Sequence, residues 1–352
     1  MEQPVLRLGL LGFPAADYQK IQQAIGQLNG AGPWWELVEF EQADAWCVNG
    51  ASIEQIRGNT VMVRTQQPLQ PLVSLDPGRI DRPIAFTEPL PEDLVAAELV
   101  NFQSTALLQV GLQRFEAWLR HLRVQFVLGC ELVSRQNELS QGVYHVIDLH
   151  GKLLAVANLK NWTVATLTSA RPVDFEEASW VHRPGMAADV PASFISNSVA
   201  KLMWNYAVRT RLDPLPERYR KETIYLRKLP NLPVGWLRDE HLVLLRALSS
   251  GPGKFADFLR KTDLPDSLLA RVLAALYFAG AITTKKSASM QVEKVASPIG
   301  SQSSLPPDSH MFMHNRYQTE HRSGVGSSFQ YLKQVDHMDE TAPVPLFDFK
   351  PR

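Results

Sequence analysis

Three hundred and fifty-two residues exceed one ordinary hydrophobic core, so the length points to two or three domains. Hydrophobic residues make up 45% and charged residues 20%, the proportions of a globular chain, while 36 basic and 36 acidic side chains cancel. That balance excludes a uniformly basic nucleic-acid binder and an acidic disordered chain.

The cancellation is not uniform along the chain. Residues 1–100 carry −7, 101–200 carry 0, 201–286 carry +8 and 287–352 carry −1. The basic segment meets either an anionic partner or the acidic N-terminal third. Two cysteines, Cys47 and Cys130, sit in apolar runs and cannot form a disulfide framework, which predicts a cytoplasmic protein. Glu2 stands where a signal peptide is positive, and no window of about 18 apolar residues offers a membrane span.

In chain order, residues 6–13, 35–40, 45–49, 60–65 and 83–87 read as short strands. Tyr18, Ile21, Ile25 and Leu28 recur at three- and four-residue spacing and predict a helix over 15–28 that stops at Asn29-Gly30. Strands alternating with helices imply a parallel sheet. Only a few residues separate Phe40 from Ala45, too few for a crossover helix, so the second strand is expected to pair antiparallel or to leave the sheet. Residues 66–82 are rich in turn formers and read as a loop.

In strand count, size and the run of its last strand into proline, this segment resembles the receiver domain of bacterial response regulators. The family carries an acidic pair after its first strand, a phosphoacceptor aspartate ending the third, a threonine or serine ending the fourth, and a lysine before the proline after the fifth. Here those places hold Gly12-Phe13, Asn49, Thr65 and Phe86-Thr87-Glu88-Pro89. Only the hydroxyl fits, and the carboxylates that Mg²⁺ needs are gone. The resemblance therefore implies a pseudo-receiver, with Asn49, Thr65, Phe86 and Glu88 as a degenerate pocket that takes no phosphate. A generic layered α/β domain is the alternative, and no G-x-G-x-x-G fingerprint marks it as dinucleotide-binding.

Leu108, Leu112, Phe115, Leu119, Leu122 and Phe126 then repeat with 4-3-4-3-4 spacing and predict one helix over 104–126, whose seam either pairs two chains or packs on the protein's own domains. Leu107, Trp118 and Val124 widen that apolar surface. Residues 142–168 read as a three-stranded meander turning at His150-Gly151 and Lys160-Asn161. A capping box is expected at Asp174, and Pro191 opens a helix with Ile195, Val199, Leu202 and Tyr206 on one face.

Residues 237–284 read helix, helix, turn, helix, short strand, and resemble a winged-helix module with Gly280 ending the third helix. Between Ser267 and Ala279 that helix offers only Ser267, Arg271 and Tyr277 for base contacts, so packing against protein is the expected role. Arg218, Arg220, Lys221, Arg227 and Lys228 form the strongest basic run, a candidate anion or nucleotide site or a docking edge for the acidic first domain. After Lys286 the composition becomes that of a disordered tail. It contains His310 and His314 without the glutamate of a zinc helix, and the tract Pro-Val-Pro-Leu-Phe-Asp-Phe-Lys-Pro-Arg over 343–352 reads as a short docking motif or as unconstrained chain.

These readings combine into a multidomain α/β plus α+β protein. A receiver-like domain covers 1–92, a helical and antiparallel β middle domain 93–235, a winged-helix-like module 236–286 and a flexible tail 287–352. The expected function is non-catalytic regulation, needing no cofactor or metal, through a protein partner or a small anionic ligand. The alternatives are a DNA-binding transcription regulator and an enzyme without a recognisable motif.

Overall fold

A computed structural model describes residues 2–288, except 31, 66–71, 93, 95–97 and 184–189. His310, His314 and the 343–352 tract lie outside the described residues. The described chain is mixed α/β, with one parallel sheet and several antiparallel ones.

Strand β1 (Val5–Leu11) runs into helix α1 (Ala15–Leu28), which returns to β2 (Trp34–Val38). Asn29 ends the helix and fixes its exit, accepting from the Trp35 amide at 2.8 Å and donating to the Trp35 carbonyl at 3.1 Å. β3 (Ala45–Asn49) lies on the other side of β1, and both neighbours are parallel to it. The expectation that β2 pairs antiparallel or leaves the sheet is corrected, and the register explains how. Val38 is level with Gly9 and Ala45 with Leu8, so the chain drops back by one position and needs no helix to do so.

A 3₁₀ turn, Phe40–Gln42, makes that crossing directly over β1. It can lie so close because residue 9 is glycine, where an added Cβ would stand 2.9 Å from the Phe40 Cα and 2.9 Å from the Ala43 Cβ. Phe40 stacks on Trp46 with ring centres 4.1 Å apart, and Arg82 donates to the Ala43 carbonyl at 2.8 Å. Gly9→Val should therefore force its side chain against the Phe40 backbone and the Ala43 side chain and cost about 1–3 kcal/mol. Thermal unfolding reads this, and an unchanged midpoint would show that the crossing is not packed as described.

The connection from β3 to the last parallel strand is a sheet in place of a helix. β4 (Ile53–Arg57), β5 (Thr60–Arg64) and β6 (Leu72–Leu75) form an antiparallel meander, so the predicted fourth strand belongs there and part of the predicted 66–82 loop is strand. Alternation explains the error, because Val61 and Val63 are buried and Thr60, Met62 and Arg64 are not. The chain then enters β7 (Ile84–Thr87), parallel to β3, giving the order β2-β1-β3-β7. Leu99 adds one more parallel bridge, to Phe86. The meander covers Leu11, Val48 and Phe86 on one face of the sheet. On the other face α1 and α2 (Thr105–Trp118) cover Leu6, Leu8, Ala45, Cys47 and Ala85.

The predicted helix 104–126 breaks at Leu119. α2 ends there and α3 (Arg120–Ser134) begins. Leu108, Leu112, Phe115 and Leu119 pack into the first core, while Phe126 is buried in a second. The heptad seam is thus spent inside one chain, and those side chains are not available to pair two copies.

The second core forms between helices and a five-stranded antiparallel sheet of β8 (Val143–Ile147), β9 (Leu153–Asn158), β10 (Thr163–Leu167), β11 (Ser179–His182) and β12 (Phe194–Ser198), in the order β11-β8-β9-β10-β12. The predicted meander is its centre. Ile195 lies in β12 and is exposed, so the helix expected from Pro191 starts only at Val199, where Ser198 caps α4 (Val199–Arg209). The capping box expected at Asp174 is a 3₁₀ turn, Pro172–Phe175, in which the Asp174 carboxylate accepts from the Arg171 amide at 2.8 Å.

α4 packs against α3 on one side and α8 (Asp266–Phe278) on the other. A short α5 (Arg218–Lys221) and β13 (Tyr225–Leu226) lead to α6 (Asp239–Ser249), α7 (Phe255–Thr262), α8 and β14 (Ile282–Thr283), which pairs with β13. One hydrophobic cluster runs from Val124 to Ile282, so the elements from α3 to β14 share a core. Among the described residues no helix is long and apolar enough to cross a membrane.

Candidate functional site

In an open parallel sheet, ligands bind beyond the carboxyl ends of the strands, where neighbouring connections diverge. Here that point lies between β1, whose chain leaves toward β2, and β3. The ends of β1, β3 and β7 are laced together by neutral groups. The Gly12 carbonyl accepts from the Asn49 side-chain amide at 3.0 Å and from the Ser52 hydroxyl at 2.6 Å. The Thr87 hydroxyl donates to the Asn49 Oδ1 at 3.4 Å and accepts from the Gly50 amide at 3.3 Å. Gly12 has φ +78°, and a Cβ on Gly50 would lie 2.1 Å from the Thr87 carbonyl, so both glycines permit this closure.

Beside this network a cleft of about 590 Å³ opens between α1 and α2. Its floor is Asn49, Thr87 and Val100, and its walls include Phe13, Phe102, Leu107 and Val110. Gly111 lets α2 come close to the floor, since a Cβ there would meet Val100 at 2.5 Å. Arg114 donates to the Leu99 carbonyl at 3.0 Å and ties the 98–100 segment to the helix. Leu99, Leu107 and Val110 are 38%, 44% and 50% exposed, a contiguous apolar lip. Asp17 pairs with Lys20 at 3.3 Å on the α1 rim, and Glu88 is exposed at the opposite rim. Such a surface suits apolar side chains flanked by a few charges.

The predicted receiver residues scatter around this place. Asn49 is in the network and Glu88 at the rim. Phe86 points into the core under the meander. Thr65 follows β5 and is outside the parallel sheet, where Thr87 supplies the hydroxyl instead. Sequence reading missed Ser52, Thr87 and the outer face of α2. The last had a signal, the apolar Leu107 and Trp118 lying off the heptad seam.

Part of the basic run is engaged within the chain. Arg220 pairs with Asp213 at 2.5 Å and Asp266 at 3.4 Å and lies over Phe255, and Lys221 pairs with Glu217 at 2.6 Å. Arg218 lies over Tyr219 and Tyr277, the Arg227 amide donates to the Ala281 carbonyl at 2.7 Å, and Lys228 is exposed.

Other basic residues of the segment reach the acidic domain. Arg209 pairs with Asp44 at 2.5 Å, Arg211 lies 4.1 Å over the Trp34 ring with its amide donating to Glu2 at 2.9 Å, and Arg238 donates to the Gln42 carbonyl at 3.3 Å. Burial pushes the Asp44 carboxyl above its usual range while Arg209 pulls it back.

α8 is the third helix of the segment expected to be winged-helix-like, and its Leu269, Ala270 and every residue from Val272 to Phe278 are buried. It is the central helix of the second core. Among the described residues no three His, Cys, Asp or Glu side chains gather as metal ligands would. No family model matches the chain, and comparisons with curated proteins and with solved structures give no significant match.

Proposed function

We propose that this is a non-catalytic regulatory protein that acts by recognition, with a receiver-like first module that has lost phosphorylation and a cleft that takes an apolar segment of a protein partner. The parallel order β2-β1-β3-β7, with its switch point between β1 and β3, supports a layered α/β module of this general kind. One observation carries the reading. At the strand ends, where phosphoryl transfer to a receiver needs a carboxylate nucleophile and acids to hold a cation, Asn49 and Ser52 close on the Gly12 carbonyl and Thr87 closes on Asn49. An amide there is not a phosphoacceptor nucleophile, and it brings no negative charge to balance a hard cation. The burial of α8 favours a protein partner over a DNA groove, because a helix enclosed by its own core presents few side chains to base edges.

Incubation of the whole chain with acetyl phosphate and Mg²⁺ should leave its intact mass unchanged. Phosphate on any aspartate among residues 1–100 would end this reading.

A further inference from the structure

Leu99, Leu107 and Val110 leave an apolar lip in water beside a cleft large enough for two side chains. Beyond residue 286 apolar residues cluster at 311–313, 329–332 and 344–349, and of these clusters only the last, Val344, Leu346, Phe347 and Phe349, is interleaved and bracketed by prolines, Pro343, Pro345 and Pro351. We propose that Leu346, Phe347 and Phe349 of the same chain dock in the cleft between α1 and α2 and cover it until a partner displaces them. The inference rests on the recognition reading and names the first occupant of its site.

Two physical arguments favour this occupant. Prolines restrict a tract of this kind toward extended backbone and so reduce the entropy lost on docking. In an extended segment residues 347 and 349, both phenylalanine, project to one side, toward one apolar wall.

The intervening sequence, residues 289–342, is also long enough. A flexible linker of that many residues would have a root-mean-square span of about 40 Å, which would set a local concentration on the order of a millimolar. A contact of modest intrinsic affinity is then mostly closed within one molecule, and a partner segment needs only to compete with it.

Disulfide trapping in the full-length chain tests the proposal. Val110→Cys with Phe349→Cys places one thiol on the cleft wall and one on the tract. Leu149→Cys with Phe349→Cys is the control, because Leu149 is 71% exposed at the β8–β9 turn. Burial pushes the native Cys47 and Cys130 thiols up, which keeps them slow to oxidise, and peptide mapping identifies the bonded pair. The cleft pair should close within one chain about tenfold faster than the control, and adding Phe347→Ala should slow it toward the control rate.

Equal rates for the two pairs would overturn the proposal, as would a bond that forms only between chains, which would put a second copy in the cleft. Phosphate incorporation, the failure of the recognition reading, is a mass change independent of either rate.

Discussion

Asp44→Ala should destabilise the chain by about 3–5 kcal/mol, the loss typical when one partner of a buried ion pair is removed. Asp44 and Arg209 are each 8% exposed, and the alanine variant would leave the guanidinium enclosed without its counter-charge. The carboxylate also accepts from the Arg7 amide at 3.1 Å, and the Arg7 side chain donates to the Val208 carbonyl at 2.7 Å. Behind Arg209 the bonds continue to Asn205 at 2.9 Å, Gln125 at 2.8 Å and His121 at 2.7 Å.

These groups join the acidic sheet domain to the second core, so the loss should appear as a lower midpoint for the whole protein, by roughly 10 °C. Asp44→Asn keeps one acceptor oxygen, enough for one of the two donors, and should cost less than alanine. A loss under about 1 kcal/mol for alanine would mean that water reaches Arg209, as at surface pairs.

Acidification supplies the second large effect. His241 is 2% exposed, stacks 4.8 Å from the Trp204 ring and accepts the Arg238 amide through Nδ1 at 3.2 Å. Burial, with Arg238 beside it, lowers its pKa from 6.5 to about 3. The folded imidazole therefore stays neutral while the unfolded one takes a proton below its ordinary pKa. Its contribution is whole above pH 6.5 and is lost as the pH falls toward 3.

The slope approaches about 1.4 kcal/mol per pH unit, or roughly 2.5 kcal/mol between pH 6 and pH 4. Asp44 works in the opposite sense, because a carboxyl raised by burial favours the folded state as it protonates. His241→Phe separates the two. It keeps a ring against Trp204 and gives up one hydrogen bond, a pH-independent cost of about 1 kcal/mol. Denaturant titrations at several pH values should show a flatter acid limb for the variant, and parallel limbs would show that His241 is not the group responsible.

Local periodicity was readable in the sequence, and long-range placement was not. The spacing of Ile21, Ile25 and Leu28 marks α1, and the glycine turn at His150-Gly151 marks the centre of the second sheet. Thr60–Arg64 was recognisable as a strand, yet alternation says nothing about which sheet a strand joins. The six-residue seam looked continuous because Leu119 preserves its spacing while its backbone leaves the helix, at φ −83° and ψ 12°.

The candidate site was partly legible for a similar reason. Asn49 was found by its place at a strand end, whereas Ser52 and Thr87 became partners only through the meander that returns the chain beside β3. Whole-segment charge located the basic stretch, but the residue that reaches the acidic domain's interior, Arg209, lies in a helix outside the conspicuous run.

The junction at Leu119 bears on how such a protein can evolve. Modules that are exchanged between genes are usually joined by exposed linkers, which tolerate cutting and rejoining. Here Leu119 is the only residue between two helices, and it and Leu122 are packed into the first core while Val124 already belongs to the second. A recombination break at this point would strip apolar surface from both products. The sheet domain and the helical domain are therefore expected to be inherited together, as a single heritable unit despite having two cores.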